Sequence, residues 1–331
     1  MTDAPIDLVT GGAGFVGRRL VSALRAAGRR VRVLDLVKPK TDVDEFLVGS
    51  ISDVDRAAAA VADVETVYHL AGLADLWRRN PEDFDAVNHQ GTRVMLGAAA
   101  SAGVKRFVHC SSATTLVGVR TPLGPSAASE ASAIAVDGAL GAYPRSKVLA
   151  EAAVMQAVDK GLDAVIVHPT EPLGAGDEGL TPPTKMILDF VNKKTPASID
   201  CMLNFVSLDD LAAGFMAAAA KGRSGERYLL AGENVPMAEL LETITRLTGV
   251  ATPKAQLPYI LALAVGAVDT HVVARVTGKP PTAPLTGVRL AGRRVAFNAS
   301  KAAEELNWRA GPFEPALREM LDWARGSKLI P

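Results

Sequence analysis

"VTGGAGFVG", Val9 to Gly17, follows the β-branched run "IDLVT" (6 to 10) and opens a stretch of helical period. Strand, glycine loop and helix in that order are what a backbone cradle for phosphate requires. Gly11 permits the tight turn, Gly14 lets the backbone approach a pyrophosphate, and Gly17 lets the helix pack on the strand. The N–H groups of the helix N-terminus would then face the phosphate charge. Glycines also mark ordinary strand-to-helix turns, so the loop needs a second signal. Asp35, closing the run "RVRVLD" (30 to 35), supplies it: a carboxylate there can accept both hydroxyls of an adenosine ribose and repels a 2′-phosphate. NAD is therefore favoured. Lys38 and Lys40 just beyond keep NADP open, and a simple strand-end cap is the bland alternative for Asp35.

Outward from this loop the alternation continues. Strands are expected at "FLVG" (46 to 49), "TVYHL" (66 to 70), "RFVHC" (106 to 110) and "AVIVHP" (164 to 169), with helices near 15 to 27, 53 to 62, 82 to 102 and 143 to 159. Apolar strands alternating with helices predict an α/β fold, a doubly wound parallel sheet of the Rossmann type, with ligands outside the carboxyl ends of its strands. After about residue 170 proline-rich loops take over ("TEPLGAGDEGLTPPT"). We expect residues 1–170 to form the dinucleotide-binding domain with 204–222 returning to it, and 171–203 and 223–331 to form a smaller C-terminal substrate lobe.

Composition narrows the partners. The 331 residues are 48% hydrophobic and carry 36 basic and 36 acidic side chains with no run of five like charges, which points away from nucleic acid and from an anionic membrane surface. A small-molecule substrate is the default. The N-terminus lacks a signal-peptide pattern and only Cys110 and Cys201 are present, so a cytoplasmic, reduced protein is expected. "LPYILALAVGAV" (257 to 268) falls short of the ~20 residues of a membrane span and is expected to be a buried or lid helix, with no membrane span and with membrane contact as the minor alternative.

"TGGAGFVG", "YHLAG" (68 to 72), "VNHQGT" (87 to 92), "CSSATTLVG" (110 to 118) and "YPRSK" (143 to 147) occur in that order. With them the chain resembles the extended short-chain dehydrogenase/reductases over nearly its whole length. "VIVHPTEPLGAGD" (165 to 177), "NFVSLDDLAAG" (204 to 214) and "GERYLLAGEN" (225 to 234) resemble the branch holding dihydroflavonol-reductase-like proteins, 3β-hydroxysteroid dehydrogenases and hopanoid-associated sugar epimerases. The resemblance implies a catalytic centre of Ser112, Tyr143 and Lys147. It implies a cofactor held by Gly11, Ala13, Gly14, Phe15 and Val16, by Asp35, Ser50 and Ile51, and by Leu70, Ala71 and Gly72. Asn88 would brace the helix behind, Lys147 would also reach the nicotinamide ribose, and Pro169 and Thr170 would pass near the nicotinamide. One departure is Ser50, which stands where relatives usually carry an acid. Asp53 remains as a helix cap.

The chemistry explains the residue types. Hydride transfer at a carbon bearing oxygen needs a proton delivered to, or taken from, that oxygen. A phenol with an ordinary pKa of about 10 is a poor base at neutral pH. Lys147, one helical turn on, is expected to lower it by Coulomb attraction, while Ser112 holds the substrate oxygen. Each has a bland reading as well: a turn-capping serine, with Ser111 as the rival, a half-buried aromatic, and a solvated lysine. His69, His89, His109 and His168 show no ligand spacing, and no metal is expected.

Two enzyme readings share this machinery. The preferred one is a dehydrogenase or ketone reductase for an apolar, cyclic or sterol-like alcohol or ketone, with Leu73, Leu76, Trp77, the apolar helix at 257 to 268 and Leu173 lining the pocket and Asn204 near the substrate. The other is a nucleotide-sugar epimerase or dehydratase, disfavoured because residues 171–204 contain no arginine for a diphosphate, although Arg289, Arg293 and Arg294 could approach. A non-catalytic dinucleotide sensor comes third, since both Tyr143 and Lys147 are retained. Alanine-rich faces at 82–102 and 143–159 permit close helix packing, and the resemblance implies a homodimer formed through these two helices.

Overall fold

The computed structural model describes residues 5–331. Its strands are β1 (Ile6–Thr10), β2 (Arg30–Asp35), β3 (Glu45–Val48), β4 (Val64–His69), β5 (Arg106–Cys110), β6 (Ser126–Ala128), β7 (Ala164–Pro169), β8 (Glu171–Leu173), β9 (Met202–Ser207), β10 (Arg227–Leu230), β11 (Glu233–Pro236) and β12 (Val295–Phe297). Seven of them make one parallel sheet in the order β10-β7-β5-β4-β1-β2-β3. The order reverses between β1 and β4, and a crevice opens at such a switch point outside the strand ends. The doubly wound parallel sheet read from the alternation is therefore what the chain forms.

Apolar strands covered on both faces need helices on both faces. On one side Leu20, Val21 and Leu24 of helix Phe15–Ala26 pack with Leu211 and Phe215 of helix Leu208–Lys221. On the other, Ala57, Met95, Leu96, Ala153 and Val154 come from helices Val54–Val61, Thr92–Ser101 and Ala142–Asp159. The helix over 82–101 contains a π-type turn at Asp85–Gly91, which turns Asn88 and Gly91 inward.

A second core gathers around a small sheet of order β11-β9-β8, with Ile187, Phe190, Leu240, Phe313 and Leu317 from the surrounding helices. Two expectations about this half are corrected. Strand β10 lies inside 223–331 yet is an edge strand of the main sheet, because Arg227–Leu230 pairs with Ile166–Pro169. Helix Leu208–Lys221 does return to the main sheet, whereas β9 before it stays in the small one.

The apolar stretch at 257–268 is also corrected. Helix Tyr259–Val268 runs on through a π-type turn, Asp269–Val273, into Ala274–Thr277. The result is a continuous 19-residue helix with only 17% of its apolar window buried. Among the described residues it is the one helix long and apolar enough, by length and composition, to cross a membrane. It is neither short nor buried.

Candidate active site

The glycine loop is closed by contacts that admit no side chain. Gly11 has φ +72°, and a Cβ on it would stand 2.7 Å from the Ala71 amide nitrogen across the switch point. At Gly17 a Cβ would stand 2.1 Å from the Gly11 carbonyl oxygen. Helix Phe15–Ala26 starts from Gly14 with no side-chain cap and no acid in its first turn, which leaves its N–H groups open to an anion. Asp35 Oδ2 accepts the Ala13 amide at 2.9 Å and Oδ1 accepts the Leu36 amide at 2.7 Å, so the acid also clamps the loop. A carboxylate has about four lone-pair sites, which leaves room for ribose hydroxyls. Phe15 and Val16 are half-buried beside it.

Beyond β2, Ser50 Oγ accepts the Ser52 amide at 3.1 Å, and the Ile51 side chain is buried against Gly91. Asp53 caps the next helix through the amides of Asp55 and Arg56, as expected. Leu70, Ala71 and Gly72 follow β4 over a floor made by His69. That ring is buried between the Thr10 hydroxyl at 2.8 Å and the Thr92 hydroxyl at 3.0 Å, and burial pushes its pKa down to about 3. It is a neutral structural histidine. Asn88 Oδ1 accepts the Leu73 amide at 2.7 Å, while its Nδ2 donates to the Leu73 carbonyl and to Ser146 Oγ, both at 3.0 Å. Loop 72–73 is thereby tied to the helix that carries Lys147. Thr170 lies at the end of β7, its hydroxyl donating to the Leu230 carbonyl at 3.3 Å.

Gly141, at φ +153°, turns the chain into helix Ala142–Asp159. Tyr143 and Lys147 both point inward, 8% and 6% exposed. Ser112 Oγ accepts from the Thr114 amide at 3.2 Å and the Thr114 hydroxyl at 3.0 Å, and Ser112 is the polar neighbour of the Tyr143 phenol. Ser111 is directed elsewhere. Its hydroxyl donates to Glu151, so of the two serines Ser112 is the one beside the tyrosine.

Electrostatics depart from expectation. Burial pushes the Tyr143 phenol up to about 12, and the neighbouring Ser112 opposes that rise. At ~1.4 kcal/mol per pKa unit that is roughly 3 kcal/mol against the phenolate. The Lys147 ammonium donates to the Cys110 carbonyl at 2.9 Å, and burial pushes its own pKa down. Desolvation outweighs the lysine's attraction when both groups are enclosed by protein.

The sequence reading missed Glu151, one turn beyond Lys147. Its carboxylate is 4% exposed and accepts from Ser111, from His168 Nε2 at 2.9 Å and from Arg227 Nε at 3.2 Å. Burial pushes its pKa up, but His168, Ser111 and Thr115 hold it well below the usual carboxylate range. The spacing Tyr143, Lys147, Glu151 on one helix face was the available signal.

On the substrate side the expected residues separate. Leu73, Leu76 and Trp77 are half-buried after β4, and Leu76 lies against Gly287. Leu173, expected in the pocket, is fully buried in the second core. Asn204, expected near the substrate, is 2% exposed, with Nδ2 donating to the Gly232 carbonyl and Asn234 and Oδ1 accepting the Gly232 amide. Its amide holds the β10–β11 turn instead. A surface depression of about 510 Å³ lined by Glu233, Asn298, Trp308 and Arg309 contains none of the residues around Tyr143. Among the described residues no three His, Cys, Asp or Glu side chains gather as a metal would need.

Comparison with known proteins agrees with this geometry. Residues 8–231 match the family described as the NAD dependent epimerase/dehydratase family. The chain is 32% identical over 324 residues to a putative dihydroflavonol 4-reductase of Synechocystis sp., covering 95% of this chain and 93% of the relative. It is 29% identical over 331 residues to sterol demethylase protein B of Methylococcus capsulatus, covering 98% and 99%. The crystal structure of gox2253 superposes with a TM-score of 0.84 at 32% identity, covering 98% of this chain and 99% of that one.

Proposed function

Because the chain belongs to the NAD dependent epimerase/dehydratase family, we propose that it interconverts a secondary alcohol and a ketone on a largely apolar small molecule, with NAD as cofactor and Tyr143 as general acid and base. The observation that carries this reading is the buried Tyr143 phenol with Ser112 as its polar neighbour, Lys147 one turn on and Ser111 held away by Glu151. The glycine cradle fits a dinucleotide, since a Cβ at Gly11 or Gly17 would fill it, and Asp35 beside it favours an unphosphorylated ribose. Bound there, the nicotinamide supplies or accepts the hydride.

The chain's own residues manage the proton and the geometry. With its pKa raised, Tyr143 stays protonated throughout the neutral range and is ready to donate to a ketone oxygen during reduction. Ser112 holds that oxygen near the phenol. Lys147, fixed on the Cys110 carbonyl, keeps a buried cation below Gly72, where a Cβ would come within 3.5 Å of Nζ. Leu73, Leu76 and Trp77 favour an apolar substrate, and the names of the two full-length relatives, a reductase and a sterol demethylase protein, fit that choice. The nucleotide-sugar alternative has less support, since residues 171–203 offer no arginine and Asn204 is committed to the β10–β11 turn.

A panel of cyclic ketones and nucleotide sugars with NADH tests the reading by loss of absorbance. Turnover of ketones is expected; activity on a nucleotide sugar alone, with NAD co-purifying, would replace it with the epimerase. The homodimer is proposed on the small exposed residues Gly97, Ala100 and Ala152 of the two helices expected to pair, and a monomer mass in light scattering would refute it. Both cysteines are free, which fits the proposed cytoplasmic setting.

A further inference from the structure

The helix over 259–277 has one face taken and one face open. Ala262, Gly266 and Ala274 are buried, and a Cβ at Gly266 would come within 3.1 Å of Val288. Asp269 accepts the Ala283 amide and Thr270 accepts the Leu285 amide, each at 2.9 Å. The helix is thus pinned lengthwise along the body of the protein. Its outer ridge, Leu261, Val265, Val268, Val272 and Val276, is 51%, 47%, 55%, 54% and 83% exposed, with Ile260 at 82% beside it. Spacings of three and four residues make this one continuous apolar stripe, of the kind that marks an interaction surface.

Charge identifies the partner. Between Glu242 and Glu304 the chain carries eight Lys or Arg and a single acid, Asp269, in a protein whose 36 basic and 36 acidic side chains balance over the whole chain. Asp269 is the group already spent on Ala283. Lys254, Arg275 and Lys279 are exposed and enter no ion pair among the described residues. An apolar ridge flanked by free cations has the pattern of a helix lying in a lipid interface.

We propose that this arm docks flat on an anionic lipid bilayer, with the ridge from Leu261 to Val276 entering the headgroup boundary and Lys254, Arg275 and Lys279 meeting lipid phosphates. A second copy of the chain fits less well, because pairing this face with itself sets cations against cations with no free carboxylate opposite. Docking does not depend on the reaction proposed above. It does bear on it, for the following helix, Leu285–Ala291, rests Gly287 against Leu76 and Thr286 against Gly141, two residues before Tyr143. An apolar substrate dissolved in the bilayer would be one helix away from the site.

The test is co-sedimentation of the full chain with phosphatidylcholine vesicles, with and without phosphatidylglycerol. Binding is expected to the anionic vesicles and to fall at high salt. Arg275→Gln with Lys279→Gln should weaken it roughly 25-fold, about fivefold per cation, and Val268→Ser with Val272→Ser should abolish it. All four side chains are exposed, and unchanged NADH binding in the variants verifies the fold. No sedimentation of the wild-type protein, or equal sedimentation of the variants, would overturn the proposal, as would a dimer mass lost only in the valine variant without vesicle binding.

Discussion

The loop at 9–17 and the arm at 259–277 are both apolar, glycine-containing segments next to helices, yet one was legible from its residues and the other was not. In the loop three of the four glycines answer to a backbone contact: Gly11 to Ala71, Gly14 and Gly17 to Gly11. Such constraints are local, so their order along the chain is enough to recognise them. The arm is the opposite case. "ILALAV" reads as core, but whether a helix is covered depends on what the rest of the chain brings to it, and here the segment 283–292 packs against it, on one side.

Four substitutions or titrations would break or sharpen this contrast. The largest effect is expected at Glu151→Ala, which strips a buried carboxylate from Ser111, His168 and Arg227; it should lower the unfolding free energy by about 3–5 kcal/mol in urea titrations. Leu20→Ala, at a fully buried position of the cradle helix, should cost about 3 kcal/mol by the same measurement. Next comes acid sensitivity of the cofactor floor. His69 is neutral in the fold, its pKa depressed to about 3 from an ordinary 6.5, so its contribution is complete above pH 6.5 and is lost as the pH falls towards 3. Stability should fall by up to roughly 1.4 kcal/mol per pH unit from this group, and a His69→Gln variant should show a shallower slope. Leu261→Ala on the arm should change stability by no more than about 0.5 kcal/mol. A loss at Leu261 equal to that at Leu20 would mean that the arm is covered after all.

The same contrast accounts for what sequence reading reached elsewhere. The strand–loop–helix units and the doubly wound sheet follow from short-range periodicity, and the sites of Tyr143 and Lys147 from the ordered motifs that carry the family resemblance. Leu173 and Asn204 were expected in the substrate pocket, but in a loop-rich lobe the facing of a strand residue is decided by distant partners, here β9 and the β10–β11 turn. Strand β10 was assigned to the wrong half for the same reason, since its pairing with β7 spans some sixty residues of chain. Glu151 went unnoticed because a lone helical acid looks solvated until His168 and Ser111 close over it. The phenol's high pKa was hidden because burial cannot be read from a four-residue spacing.

The central claim, that Tyr143 moves the proton, is tested most directly by the pH dependence of turnover in both directions for the wild type and Tyr143→Phe. Ketone reduction by the wild type should not increase with pH across the neutral range, and alcohol oxidation should rise, because a phenol raised to about 12 is a ready donor and a scarce base. Tyr143→Phe should lose about 10²- to 10⁴-fold in both directions while binding NADH as before. Full turnover by Tyr143→Phe would contradict the account.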